Sequence, residues 1–169
     1  GLLLNDFFES VFSTPVIAAG FLLVTAVLLV IGERMLSGDK EVSQLTWVDA
    51  LVVGLFQTFA LFPGISRSGS PIVGGLLLGL ARPEAARLSF LIGIPAIAGA
   101  GLLSIVDIFA ATTAVHTPAV YITAFLAAAL SGYACIHLLL TWVKRRGLTI
   151  FAVYCALFGT FFLLRTLLG

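Results

Sequence analysis

PGISRSGSP, residues 63–71, interrupts a long oil-soluble stretch. Across residues 45–80 the only charged side chains are Asp49 and Arg67. An arginine at the centre of such a segment costs roughly 2.5–3.5 kcal/mol on insertion scales. A chain bears that cost where the cation meets an anion, a backbone carbonyl or water. Arg67 is flanked by Ser66 and Ser68, with Gly64 and Gly69 close by, and Pro63 breaks the helix before it. These are the parts of a phosphate cradle held inside a membrane. The apolar runs on either side, residues 47–62 and 71–80, are each too short to cross about 30 Å of hydrocarbon. Two short helices around a Gly/Pro break predict a re-entrant hairpin over 47–80. Irregular backbone at membrane depth survives only when buried in protein or lining a cavity. Ser70 is the expected N-cap of the second half-helix and Pro71 its first helical residue.

Composition sets the class. The chain is 60% hydrophobic and 10% charged, with a mean hydropathy of +1.17. A soluble domain carries about 25% charge. The expected fold is therefore all-α integral membrane, and no alternating pattern points to a barrel. Besides the hairpin, four spanning helices are predicted over 15–31, 84–109, 118–143 and 148–167, making one membrane domain over 1–169. Residues 5–14 read as an amphipathic interfacial piece, and residues 33–43 as a solvated loop. A net charge of +1 gives no case for nucleic acid. Cys135 and Cys155 lie in separate apolar segments and are expected to be buried small hydrophobes. The chain starts at Gly1 rather than methionine, so a fragment or processed product is expected.

The densest positive cluster is Lys144, Arg145 and Arg146, between the last two helices. By the positive-inside rule that turn is cytoplasmic. Counting back, residues 110–117 lie outside and the hairpin enters from the cytoplasmic side. Trp47 and Trp142 fit interfacial belts. Gly75 and Gly79 form a GxxxG pair, and Gly93, Ala96, Ala100 and Gly101 are similar small residues. Such spacing permits close helix approach, although it is common by chance in apolar helices.

The loop is rich in hydrogen-bond donors. A helix N-terminus offers unpaired N–H groups and the positive end of a dipole. Arg67 adds a planar fork suited to phosphate, and Ser66 and Ser68 add hydroxyls. Such a set takes an anion, and its depth suggests one tied to a lipid tail. The plainer alternative is that Arg67 only pairs with a carboxylate or with carbonyls of the broken helix. Gln57 faces either the same cavity or a neighbouring helix. His137 and Tyr133, one turn apart, read as structural. His116 stands in the outer loop without partners at ligand spacing. Glu84 and Arg87 read as interfacial anchors, and Asp107 as reaching water. No paired carboxylates here would hold a metal.

Residues 49–103, DALVVGLFQTFALFPGISRSGSPIVGGLLLGLARPEAARLSFLIGIPAIAGAGLL, closely resemble the undecaprenyl-pyrophosphate phosphatase family, the bacitracin-resistance type of membrane lipid phosphatase. The resemblance continues more loosely through the final helices. It implies removal of one phosphate from a C55 polyprenyl pyrophosphate, recycling the lipid carrier of cell-wall synthesis at the bacterial inner membrane. Carried over from the family motif, Ser66 and Arg67 are catalytic. Gly64, Ser66, Arg67, Ser68, Gly69 and Ser70 form the phosphate-binding loop. The sequence departs from the pattern at two places. Pro71 stands where the family has a threonine, which removes a hydroxyl. The acidic first repeat, with its glutamates, serine and histidine, has no match here.

The chain therefore resembles the C-terminal half to two-thirds of such an enzyme, one half of an inverted-repeat architecture. The resemblance implies a divalent cation, Mg or Ca, whose ligands are not in this chain. It also implies that this chain alone hydrolyses little or nothing. Expected partners are the polyprenyl pyrophosphate, the membrane, and the missing repeat or a second copy. A lipid-phosphate transporter or flippase-like module is the alternative, because transporters also aim broken helices at midplane anions. A degenerate paralogue with a structural role is the third reading.

Overall fold

The computed structural model describes residues 14–35, 38–110 and 117–168. Most of the interfacial piece expected over 5–14, the tip of the loop between residues 110 and 117, and His116 lie outside the described residues, as does the side chain of Asp107. The described elements are helices: α1 (Pro15–Met35), a short 3-10 turn (Val42–Gln44), α2 (Trp47–Phe59), α3 (Gly69–Leu77), α4 (Arg82–Ala110), α5 (Pro118–Arg146) and α6 (Thr149–Leu168). Four of them, α1, α4, α5 and α6, are long and apolar enough to cross a bilayer. Their outer faces are apolar, with Phe125, Leu130, Leu157 and Leu167 all exposed. The chain is an all-α integral membrane protein.

Each helix starts and stops for a local reason. Pro15 opens α1, where its missing N–H costs nothing. Thr46 caps α2 reciprocally. Its hydroxyl accepts the Asp49 N–H at 3.2 Å, and the Asp49 carboxylate accepts the Thr46 N–H at 2.9 Å. Helix α2 ends at Phe59, earlier than the apolar run suggested, and 60–68 is a chain of tight turns. Helix α3 begins at Gly69 with Ser68 at the N-cap, so Pro71 sits at the third helical position. The expected cap at Ser70 is thus corrected by two residues. Pro71 is still tolerated, because first-turn N–H groups lack intrahelical partners.

The shortest helix lies at the centre. Every residue from 69 to 76 is buried, and Leu76 is 0% exposed. It shares one buried cluster with Ala26 and Leu29 of α1, Ala85 and Ala86 of α4, Val143 of α5, and Ala152 and Cys155 of α6. Glycine lets the neighbours come this close. A Cβ at Gly74 would stand 2.9 Å from the Phe56 ring, and one at Gly75 would stand 3.2 Å from the Ala85 Cβ. The expected Gly75–Gly79 packing pair does not form. Gly79 lies beyond the helix with φ +87° and has nothing near its Cβ position. Cys155 is buried as expected, whereas Cys135 is exposed.

The segment expected to be a solvated loop is exposed at Asp39, Glu41 and Ser43 and is also pinned at Lys40. Lys40 pairs its backbone with Gly79 and Ala81 at 3.1 and 3.0 Å, and its ammonium donates to the Leu78 carbonyl at 3.2 Å. Helix α1 runs on through Glu33, whose carboxylate ties three elements together. It pairs with Arg82 at the start of α4 (3.0 Å) and accepts the Leu148 N–H beside α6 (2.9 Å). Glu33→Ala should therefore cost about 1.5–3 kcal/mol, the range for bonds to a charged group. Glu33→Gln should cost less, because the amide oxygen still accepts from Leu148. Thermal melts of the purified protein in detergent check this. Equal melting of Glu33→Ala and wild type would show that the junction is held by packing alone.

Candidate functional site

The loop over 60–68 hangs on α1 through one hydroxyl. Thr25, 2% exposed, donates to the Gly64 carbonyl at 2.9 Å and accepts the Ser66 N–H at 3.3 Å. Gly64 has φ +95°, and a Cβ there would stand 2.2 Å from the Ala18 carbonyl oxygen. The loop backbone therefore lies directly against α1. On its other side Ser89 of α4, also buried, donates to the Ser68 carbonyl at 2.9 Å.

This scaffold sorts the six loop residues into two groups. Ser66 caps the helix start: its Oγ accepts the Gly69 N–H at 3.0 Å and its carbonyl accepts the Ser70 N–H at 3.1 Å. The Ser66 hydroxyl hydrogen remains free to donate. Gly69 leaves room for this cap, since a Cβ there would stand 2.9 Å from the Ser66 Cβ. Ser70 is 2% exposed, and its hydroxyl donates to the Phe56 carbonyl at 2.6 Å. It closes the α2–α3 hairpin rather than facing an anion, so its expected phosphate-binding role is not what this geometry provides. Gly64, Ser66, Gly69 and Ser70 hold the loop. Arg67 and Ser68 line the cavity beside it.

That cavity is about 530 Å³, within the usual range for small-molecule sites. Arg67, Ser68, Ser89 and Gln57 supply its polar wall, while Phe90 and Ile97 belong to its apolar one. Gly93, Ala96 and Ala100, expected to pack helices, instead line this space. The Arg67 guanidinium makes no hydrogen bond or ion pair among the described residues. The Gln57 side-chain oxygen is buried without a partner there. Three groups thus stand ready for a ligand: a free guanidinium, a serine hydroxyl and an amide.

The same set does not suit a divalent cation. Among the described residues no three His, Cys, Asp or Glu side chains come together. The side-chain oxygens that line the cavity, the Gln57 amide and the Thr58, Ser68 and Ser89 hydroxyls, are all neutral and stand beside a guanidinium. Hard divalent cations take six or more oxygens, commonly carboxylates.

Thr25 and Ser89 were not singled out from the sequence. Thr25 carried a usable signal, a hydroxyl within an otherwise apolar helix. Thr25→Val keeps the shape and leaves the Gly64 carbonyl and the Ser66 N–H unpaired. Each orphaned group costs about 1–3 kcal/mol. Thr25→Val should lower the melting temperature, whereas Thr25→Ser should restore it. Indistinguishable melting of the valine variant would mean that the loop is held by other contacts.

The bacitracin resistance protein BacA family matches residues 1–161. A protein of Methanosphaera stadtmanae named undecaprenyl-diphosphatase is 45% identical over 94% of this chain and 56% of its own length. One of Halothermothrix orenii with the same name is 42% identical over 94% of this chain and 61% of its own. One of Methanothermobacter thermautotrophicus, also so named, is 44% identical over 99% of this chain and 93% of its own. The chain thus spans little more than half the length of the first two. With the match running from residue 1 to 161 through the whole Arg67 site, the chain belongs to the bacitracin resistance protein BacA family.

Proposed function

We propose that this chain is the phosphate-binding half of a membrane phosphatase that converts undecaprenyl pyrophosphate to undecaprenyl phosphate. The observation that carries the reading is Arg67: a guanidinium without a partner among the described residues, lining a cavity whose other wall is apolar. An unpaired cation in a membrane protein is a functional site by default. A pyrophosphate on an isoprenoid tail matches both walls. The names of the relatives support the same substrate class, and none of those names supports the transporter alternative.

In this reading residues 47–80 form a re-entrant hairpin that brings the loop to membrane depth, as one half of an inverted repeat. Arg67 binds two oxygens of the terminal phosphoryl group. Ser68 adds a hydroxyl donor from the same wall, and Ser66, whose oxygen accepts the Gly69 N–H, holds the loop in place. Water attacks the terminal phosphorus, the bridging P–O bond breaks, and inorganic phosphate and the lipid monophosphate separate. Charge grows on the transferring oxygens, so donors already held in place by Thr25 and Ser89 stabilise it without reorganising. The group that activates water, and the ligands of a divalent cation such as Mg or Ca, come from outside these residues, from an acidic repeat or a second copy. The bacterial plasma membrane is the location that goes with this chemistry.

The test separates binding from turnover. The chain alone, in detergent, should bind a polyprenyl pyrophosphate without releasing phosphate, and Arg67→Ala should abolish binding. Binding that is unchanged in Arg67→Ala would overturn the reading.

A further inference from the structure

A second cavity, about 580 Å³, opens where the start of α4 meets the end of α5. Arg87 lines it from α4, and His137, Lys144 and Arg145 line it from α5. Residues 137, 141, 144 and 145 fall on one face of α5 by helical spacing. Arg87 is one turn beyond Pro83, which lines the same cavity. Residues 83, 84 and 87 lie on a different face of α4 from Ser89, Gly93, Ala96 and Ala100, which line the Arg67 cavity. The two spaces are separate.

The lining of this second cavity is net positive, three cations against the single carboxylate of Glu84. Arg87, Lys144 and Arg145 form no ion pair among the described residues. Glu84, which also lines the cavity, accepts the Val42 N–H at 3.4 Å and pairs with none of the three. Membrane orientation requires cations near a cytoplasmic turn, but not their convergence from two helices on one concavity. Like charges held together repel, so an anion between them relieves a real cost. The chemistry recognised is a phosphate. Its source follows from the surroundings. One turn further along the same faces, Leu91 is 50% exposed and Tyr133 is 76% exposed, with Tyr133 stacked on His137. A headgroup between the cations would leave its acyl chains along those side chains. Basic pockets between membrane helices at an interface are suited to anionic headgroups.

We propose that this cavity holds the phosphate of an anionic phospholipid, at a site independent of the Arg67 loop. The purified full chain, delipidated in detergent, is titrated with phosphatidylglycerol or phosphatidylcholine, and bound lipid is counted by native mass spectrometry. Phosphatidylglycerol should be preferred by on the order of 10²-fold, given three cations near one phosphate. The combined Arg87→Gln, Lys144→Gln, Arg145→Gln variant should lose that preference. All three side chains are exposed, so the fold should survive. Arg87→Gln alone should lose part of the preference, and Arg146→Gln, outside the cavity, should retain it. Equal retention of the two lipids, or a preference that survives the triple change, would overturn the site. Displacement of phosphatidylglycerol by a matched concentration of inorganic phosphate would assign the cavity to a soluble anion and overturn the lipid.

Discussion

Arg67→Lys should lower phosphate release from a polyprenyl pyrophosphate by about 10²–10³-fold, although the positive charge is kept. Lysine is a compact point charge and cannot make the two parallel hydrogen bonds that a guanidinium offers to phosphate. Its shorter reach also leaves one oxygen of the transferring group without a donor as charge develops. Ser66→Ala should reduce turnover indirectly, by loosening the start of α3, because the Gly69 N–H loses its acceptor. Ser43→Ala, in an exposed polar segment, should change nothing. The measurement is phosphate release at saturating substrate, made on the equivalent positions of a full-length relative such as the Methanosphaera stadtmanae protein. Near-full turnover by the lysine variant, with unchanged affinity, would return Arg67 to a structural role.

Gly64→Ala should destabilise the protein by about 2–5 kcal/mol. A left-handed backbone costs a non-glycine residue roughly 1–2 kcal/mol, and overpacking adds about 1–3 kcal/mol. Here both apply, since φ is +95° and the new methyl would press on the Ala18 carbonyl. The loop must then leave α1, and Thr25 loses its acceptor. Gly54→Ala is the contrast. Gly54 lies within α2 with nothing inside 4 Å of its Cβ position, so alanine there should stabilise by about 0.5–1 kcal/mol. Melting curves of the two variants should move in opposite directions. If both moved alike, the backbone of the loop would not be locked against α1.

Much of this was legible because local physics forced it. Few soluble folds tolerate so little charge, so the membrane class followed from composition. A Pro-Gly pair followed by a run of small polar residues is a strong turn signal, so the interruption between α2 and α3 was readable, and the PGISRSG motif carried the family. Boundaries were less so. Helix α1 continues through Glu33, a polar residue that sequence alone assigns to solvent, because Arg82 and Leu148 wait for its carboxylate.

Residue type alone determined that an arginine flanked by small polar residues sits within an apolar segment, since solvation cost needs no coordinates. Which hydroxyl faces a ligand was decided only by tertiary structure. Ser66, Ser68 and Ser70 are chemically alike, but one caps a helix, one lines the cavity and one is committed to the Phe56 carbonyl. That division depends on where α1, α2 and α4 place Thr25, Phe56 and Ser89. A hydrogen bond requires a partner within about 3 Å, and residues from 14 to 41 positions away in the chain supply those partners.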